Sequence, residues 1–288
     1  MNIQFFRYLP IVAITTLLAL PATGSAQILL SSGNFALLAG TALSNSGSSV
    51  ITGNIGANAA NGVTGFPPGT ATGTTYVDDT TTAQAGLDLI TAANGLSGMA
   101  STATESGTDL SGLTLLPGVY TFADAAALDG TLTLNANNET NAVWVFQIGT
   151  SLTTSLDSAV ILEGAPNAGA GVGIYWDAKA GITIGADSTI LGNYLAGTSI
   201  TFDGTDSGLG GRLLAQAGVT ISTASALNST GDPGADGYDA GLMYNGSGQV
   251  VPEISVPEPA AFLWLCPLGA MGFALWRRRQ VVVTPVVA

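Results

Sequence analysis

The 288-residue sequence has no histidine, a single cysteine and only six basic residues against 19 acidic ones. Without histidine it lacks the commonest general base and the commonest metal ligand. The one cysteine, Cys266, lies in an apolar stretch near the C-terminus. The main body therefore has no disulfide and no thiolate, and its core and backbone ladders must hold it together. So little positive charge excludes nucleic acid as a partner, because nothing could neutralise phosphates, and argues equally against an anionic membrane surface. Carboxylate-driven sugar cleavage is the catalytic chemistry left, and Asp177, Asp187, Asp203 and Asp206 are available. Acidic residues at turns are commonplace, however, so the expectation is no enzyme and no cofactor. Asp203-Gly204-Thr205-Asp206 and Asp232…Asp236…Asp239 lack the spacing of a calcium loop and read as solvated turns.

Both ends read as processing signals. Residues 1–26 carry one early charge, Arg7, an apolar run from Leu9 to Leu20, and the small residues Gly24, Ser25 and Ala26. The run is short for a membrane span, and the order predicts a secretory signal peptide cut after Ala26. Residues 254–288 contain Pro257-Glu258-Pro259, an apolar span over 260–276, then Arg277-Arg278-Arg279. That order resembles a PEP-CTERM sorting signal. The resemblance implies a Gram-negative host, recognition by an exosortase during export, a membrane contact only through this segment before processing, and an extracellular polysaccharide as a possible neighbour. Gln280–Ala288 extends further past the arginines than such signals usually do.

Between the ends, residues 27–253 make one domain's worth of chain. It keeps 18 acidic residues and two basic ones, Lys179 and Arg212, a net charge of −16 that favours solubility and disfavours self-association.

What the domain has in abundance is Gly, Ala, Thr and Ser around a returning four-residue phrase: small or Thr, small, aliphatic, Thr or Ser. It occurs as Thr41-Ala42-Leu43-Ser44, Gly130-Thr131-Leu132-Thr133, Thr150-Ser151-Leu152-Thr153, Ala180-Gly181-Ile182-Thr183, Thr198-Ser199-Ile200-Thr201 and Ala217-Gly218-Val219-Thr220. Ser188–Phe202 matches Ser207–Ile221 at an offset of 19 residues, and Ile174–Ile184 adds a rung at an offset of 18. Three short strands and three corners fit that length, so the repeat predicts a β-solenoid of roughly triangular section. Alternation along each strand sends Ile182, Ile200, Val219 and the residues two further on inward, and the Thr, Ser or Gly beside them outward.

Tyr76–Met99 breaks the period-two pattern. Asp78 and Asp79 suit a helix start, and Ala83, Leu87, Ile90 and Asn94 fall at helical spacing, which predicts one helix over about 79–99 flanking the solenoid. Thr102–Thr108 reads as a loop, and Gly231–Gly248 as a Gly/Asp-rich lead into a linker.

The sequence resembles the bacterial and fungal ice-binding protein family. The resemblance is carried by Gly33-Asn34-Phe35-Ala36-Leu37-Leu38-Ala39, Val50-Ile51-Thr52-Gly53-Asn54-Ile55-Gly56 and Thr64-Gly65-Phe66-Pro67-Pro68-Gly69-Thr70. Leu115-Leu116-Pro117-Gly118-Val119-Tyr120, Trp144-Val145-Phe146-Gln147-Ile148-Gly149 and Gly211-Arg212-Leu213-Leu214-Ala215-Gln216 continue it in the family's order. It implies a mainly β fold, a discontinuous right-handed β-solenoid with one long α-helix packed alongside, and a flat face that meets the ice crystal surface. Carried over by position, the ice-contacting residues are Thr41, Ser44, Thr131, Thr133, Thr150, Thr153, Thr183, Thr198, Ser199, Thr201 and Thr220. Ala180 and Ala217 stand in place of the first Thr, so the array reads as irregular. The competing expectation is a structural or adhesive protein of the extracellular matrix without ice activity; Tyr175 and Tyr194, if outward, would suit sugar stacking.

Overall fold

Short runs of alternating inward aliphatic and outward small residues form strands of two or three residues on one face and two to eight elsewhere, and these stack in parallel as rungs. The computed structural model describes residues 26–104, 108–166, 171–203, 207–222, 226–228 and 237–253. The expected signal peptide (its last residue, Ala26, apart), the whole 254–288 segment with its Pro257, Glu258, Pro259 and Arg277–Arg279, and Asp206, Asp232 and Asp236 lie outside the described residues. Among the described residues no helix is long and apolar enough to cross a membrane.

The strands build a β-solenoid of triangular section. One face is a seven-stranded parallel sheet; the other two belong to a 15-stranded sheet that turns a corner. The turn is made within single strands. Thr189–Ala196 and Gly208–Ala215 pair along their whole lengths, with Gly192 opposite Gly211. Both glycines have positive φ, 112° and 139°, and a Cβ on Gly211 would lie 2.0 Å from the Gly192 carbonyl oxygen. Only glycine bends the chain there.

Rung order does not follow chain order. Val219–Ile221 pairs with Leu43–Asn45, and Leu213, Leu214 and Ala215 pair with Leu37, Leu38 and Ala39. The N-terminal rungs are thus stacked beyond the last C-terminal rung. The chain then has to travel from Thr75–Val77 at one end of the stack to Ala103–Thr104 at the other. The helix Thr80–Ser97 makes that journey, its 18 residues covering about 27 Å at 1.5 Å per residue. Asp79 caps it: its carboxylate accepts from the Thr82 amide at 2.8 Å, while the Thr82 hydroxyl receives the Asp79 amide at 3.1 Å.

The helix is where it was expected, but its stripe is not. The buried row is Thr82, Ala85, Leu89, Ala92, Ala93 and Leu96, whereas Leu87 is 61% exposed and Ile90 42%. Three alanines let the helix lie close to the sheet, and the larger Leu87 and Ile90 turn to solvent. Two further readings change. Ala103–Thr104, inside the expected loop, pairs with Tyr120 and Thr121. The described part of 231–248 is packed: Leu242–Tyr244 pairs with Val250–Pro252 and with Ala26–Gln27 in a small antiparallel sheet beside the helix. Asp239, expected in a solvated turn, is buried and ion-paired with Arg212.

There are two cores. One fills the solenoid; within it Tyr120, Phe146, Trp176 and Tyr194 stack rung on rung, with ring centroids 5.7, 3.9 and 5.5 Å apart. The other lies between solenoid and helix and holds Leu38, Leu89, Leu96, Val145, Tyr175 and Leu214. Tyr175 and Tyr194 are therefore both inside. The Tyr175 hydroxyl donates to the Ala240 carbonyl at 3.0 Å, and neither ring is available to a sugar.

Candidate functional site

The seven-stranded face consists, in spatial order, of Ala126–Leu128, Leu152–Thr154, Ile182–Ile184, Ile200–Phe202, Val219–Ile221, Leu43–Asn45 and Val63–Thr64. Each strand buries its first residue, apart from the half-buried Val63, and each three-residue strand also buries its third. The middle residue has only one direction left. In register these outward residues form one column: Ala127, Thr153, Thr183, Thr201, Thr220, Ser44, Thr64. Rungs stand about 4.8 Å apart, so the column is a regular row of hydroxyls and methyls. Ser44 Oγ lies 3.4 Å from Thr220 Oγ1 and donates to it.

A second line runs beside it at the corner. The Ala180 amide donates to the Thr150 carbonyl, Thr198 to Ala180, Ala217 to Thr198, and Thr41 to Ala217. Thr41, Thr150, Thr198 and Ser199 are exposed at this edge. Of the sequence-expected residues, nine thus come together: Thr41, Ser44, Thr150, Thr153, Thr183, Thr198, Ser199, Thr201 and Thr220.

Thr131 and Thr133 do not join them. They lie in Thr131–Asn135, which pairs with Thr114–Leu115 and Ala159–Glu163 on a different face. That face is broken by large side chains, with Ile161 43% and Val50 52% exposed. The phrase around Thr131 has the right alternation, but alternation cannot say which side of the triangle a strand occupies. The same rung supplies Ala126–Leu128 to the seven-stranded face instead. Thr64 joins the column unexpectedly: Gly62-Val63-Thr64 keeps the last three places of the phrase, but Asn61 stands at the first. Ala127 was missed because it carries no hydroxyl.

One end of the column carries a charge. Asp109 bridges to Ala127, and hydrogen bonds from the Ser111 hydroxyl and amide hold its carboxyl below the ordinary range. One strand before the other end, Asn45 is buried, donating to the carbonyls of Gly47 and Gly65 at 2.6 and 2.9 Å and accepting from Ser49 Oγ at 2.6 Å. Among the described residues no three acidic, His or Cys side chains gather as metal ligands. Asp177, one of the carboxylates considered for catalysis, is engaged by Ser97 at 2.6 Å and Lys179 at 3.1 Å beneath the helix end.

The face presents a periodic column of hydroxyls. The family described as ice-binding-like matches residues 37–226. An ice-binding protein of Nostoc sp. (strain HG1) is 38% identical over 231 residues, covering 79% of this chain and 84% of that protein. The crystal structure of an ice-binding protein from the Antarctic ascomycete Antarctomyces psychrotrophicus superposes with a TM-score of 0.65 at 33% identity, covering 71% of this chain and all of that one. One from an Antarctic biological consortium gives 0.64 at 35%, covering 74% and 96%. A triangular β-solenoid with a flanking helix, matched in sequence and in fold, makes this chain a member of the ice-binding-like family.

Proposed function

We propose that the protein is exported and binds ice through the seven-stranded face, using Thr153, Thr183, Thr201, Thr220, Ser44 and Thr64 as its central column and Thr41, Thr150, Thr198 and Ser199 along its edge. The observation that carries this is the register: six consecutive rungs present a hydroxyl at the same place.

Ice and water consist of the same molecule, so no single contact tells them apart. Discrimination has to come from many weak contacts at fixed spacing. Rows about 4.8 Å apart, with side chains about 6.7 Å apart along a strand, supply that spacing. Thr holds a water through its hydroxyl, excludes others with its methyl, and is stiff at χ1, so little side-chain freedom is lost on binding. Water ordered on the face merges with the growing front and stops it locally.

Export rests on the signal-peptide and Pro-Glu-Pro patterns at the ends of the sequence, with exosortase as the processing partner. The geometry is compatible with this. Ala26–Gln27 and Val250–Pro252 belong to the small antiparallel sheet beside the helix, so processing at either end leaves the seven-stranded face untouched. The matrix-adhesin reading loses its specific support, since Tyr175 and Tyr194 are buried.

Thr201→Tyr tests the face. It puts a ring in the middle of the column at a half-buried position. Loss of ice shaping with an unchanged melting temperature is the expected result; full ice activity in a folded variant contradicts the assignment.

A further inference from the structure

The seven-stranded face has a second edge, two residues further along each strand than the Thr column. There the Ser155 amide donates to the Leu128 carbonyl, Gly185 to Thr154, Asp203 to Ile184, Ser222 to Phe202 and Ser46 to Ile221. This ladder sets Asp129, Ser155, Gly185, Asp203, Ser222 and Ser46 side by side in rung order. Alternation turns them to the same side as the Thr column, about 6.7 Å from it along the strand. The two edges differ in charge. The opposite one reads Thr150, Ala180, Thr198, Ala217, Thr41 and is neutral, whereas this one has a carboxylate in its middle.

The two aspartates of this edge are not equivalent. Asp129 lies on the end rung, and its carboxylate accepts from the Ser155 hydroxyl. Asp203 follows the central strand Ile200–Phe202 and is exposed. Gly185 on one side of it and Ser222 on the other are too small to cover it. The two basic residues of the domain are committed elsewhere, Arg212 to buried Asp239 and Lys179 to Asp177. A formal negative charge therefore stands uncompensated on the middle rung, two residues from Thr201.

A hydroxyl both donates and accepts, as every water of an ice lattice does. An ionised carboxylate only accepts, so each water that touches it must turn a hydrogen towards it. Taking that hydration away without a paired partner is costly. Resting on the ice-binding reading, we infer that Asp203 sets the boundary of ice contact on this side. It confines contact to the Thr column and the neutral edge, and it holds activity below what the same fold supports without the charge. Ser155, Gly185, Ser222 and Ser46 are neutral, so one side chain interrupts an edge that could otherwise join the contact.

The test compares Asp203→Asn with Asp187→Asn, each in the full chain. Both exchange a carboxylate for an amide of the same shape that donates as well as accepts. Asp187 is also exposed, but it lies two residues past Gly185 in the turn that leaves the face, at a positive φ of 55° that Asn tolerates. At equal protein concentration, Asp203→Asn should raise thermal hysteresis about twofold or more, because a poorly paired polar group no longer opposes contact. Asp187→Asn should leave it unchanged, and both variants should keep the wild-type unfolding curve. Asp203→Ser, which copies Ser222, should act as Asp203→Asn does. An equal rise in both Asn variants would make net charge the cause and overturn the boundary. Unchanged or lower hysteresis in folded Asp203→Asn overturns it as well and leaves the face standing. A wild-type chain without any ice activity overturns the ice-binding reading, and the boundary with it.

Discussion

Arg212 and Asp239 form an ion pair at 3.0 Å with both side chains closed to solvent, joining the solenoid to the strap that precedes the C-terminal hairpin. The guanidinium also donates to the carbonyls of Gly33 and Gly237 and to Asn193 Oδ1, at 2.8 to 2.9 Å. It therefore ties the N-terminal turn, the strap and a rung corner to one charge. Asp239→Ala leaves that charge buried without its partner and should cost about 3–5 kcal/mol in denaturant unfolding. Adding Arg212→Met should recover part of the loss. A double variant as damaged as the two single losses combined would show that the pair is not coupled.

Trp176 is the centre of the aromatic stack, 3.9 Å from the Phe146 ring and 5.5 Å from Tyr194, with its indole N–H donating to the Leu191 carbonyl at 3.1 Å. Trp176→Ala should destabilise the domain by about 3–5 kcal/mol, because the stacked rungs cannot collapse into the cavity. Thermal unfolding followed by circular dichroism measures it; a loss below about 1 kcal/mol would mean that the stack does not hold the rungs.

The orientation of the helix gives a pair of opposite outcomes. Leu87→Glu, on the exposed side, should change stability by no more than about 0.5 kcal/mol. Leu89→Ala, on the buried side, should cost about 2–5 kcal/mol. The reverse ranking in urea unfolding would rotate the helix.

Asp177 supplies a pH dependence. Burial raises its pKa above the ordinary 3.8, against the opposing pull of the Ser97 hydroxyl and the Lys179 ammonium. The folded state therefore holds this proton more tightly than the unfolded state. Its contribution to stability is complete below pH 3.8 and is lost as pH rises through the folded value. Relative to Asp177→Asn, the wild-type melting temperature should fall as pH rises through that window. A difference between the two proteins that stays constant with pH would contradict the shift.

The solenoid was legible in the sequence because its rungs repeat. Ile182, Ile200 and Val219 recur at 18 and 19 residues, and they lie in register in space. Nine of the expected residues come to lie on one face for the same reason. Thr131 and Thr133 went astray because period two is common to all three faces. The helix stripe went astray because Leu87 and Ile90 are more apolar than the alanines that actually pack, and close approach favoured size over hydrophobicity. The stacking of Leu43–Asn45 on Val219–Ile221 joins segments far apart in the chain, so no local period announces it.

The most direct measurement is thermal hysteresis and ice recrystallisation inhibition by the purified full chain. The account predicts faceted crystals and a gap between melting and freezing points, both abolished by Thr201→Tyr. Round crystals that grow freely in the presence of folded wild-type protein would contradict it.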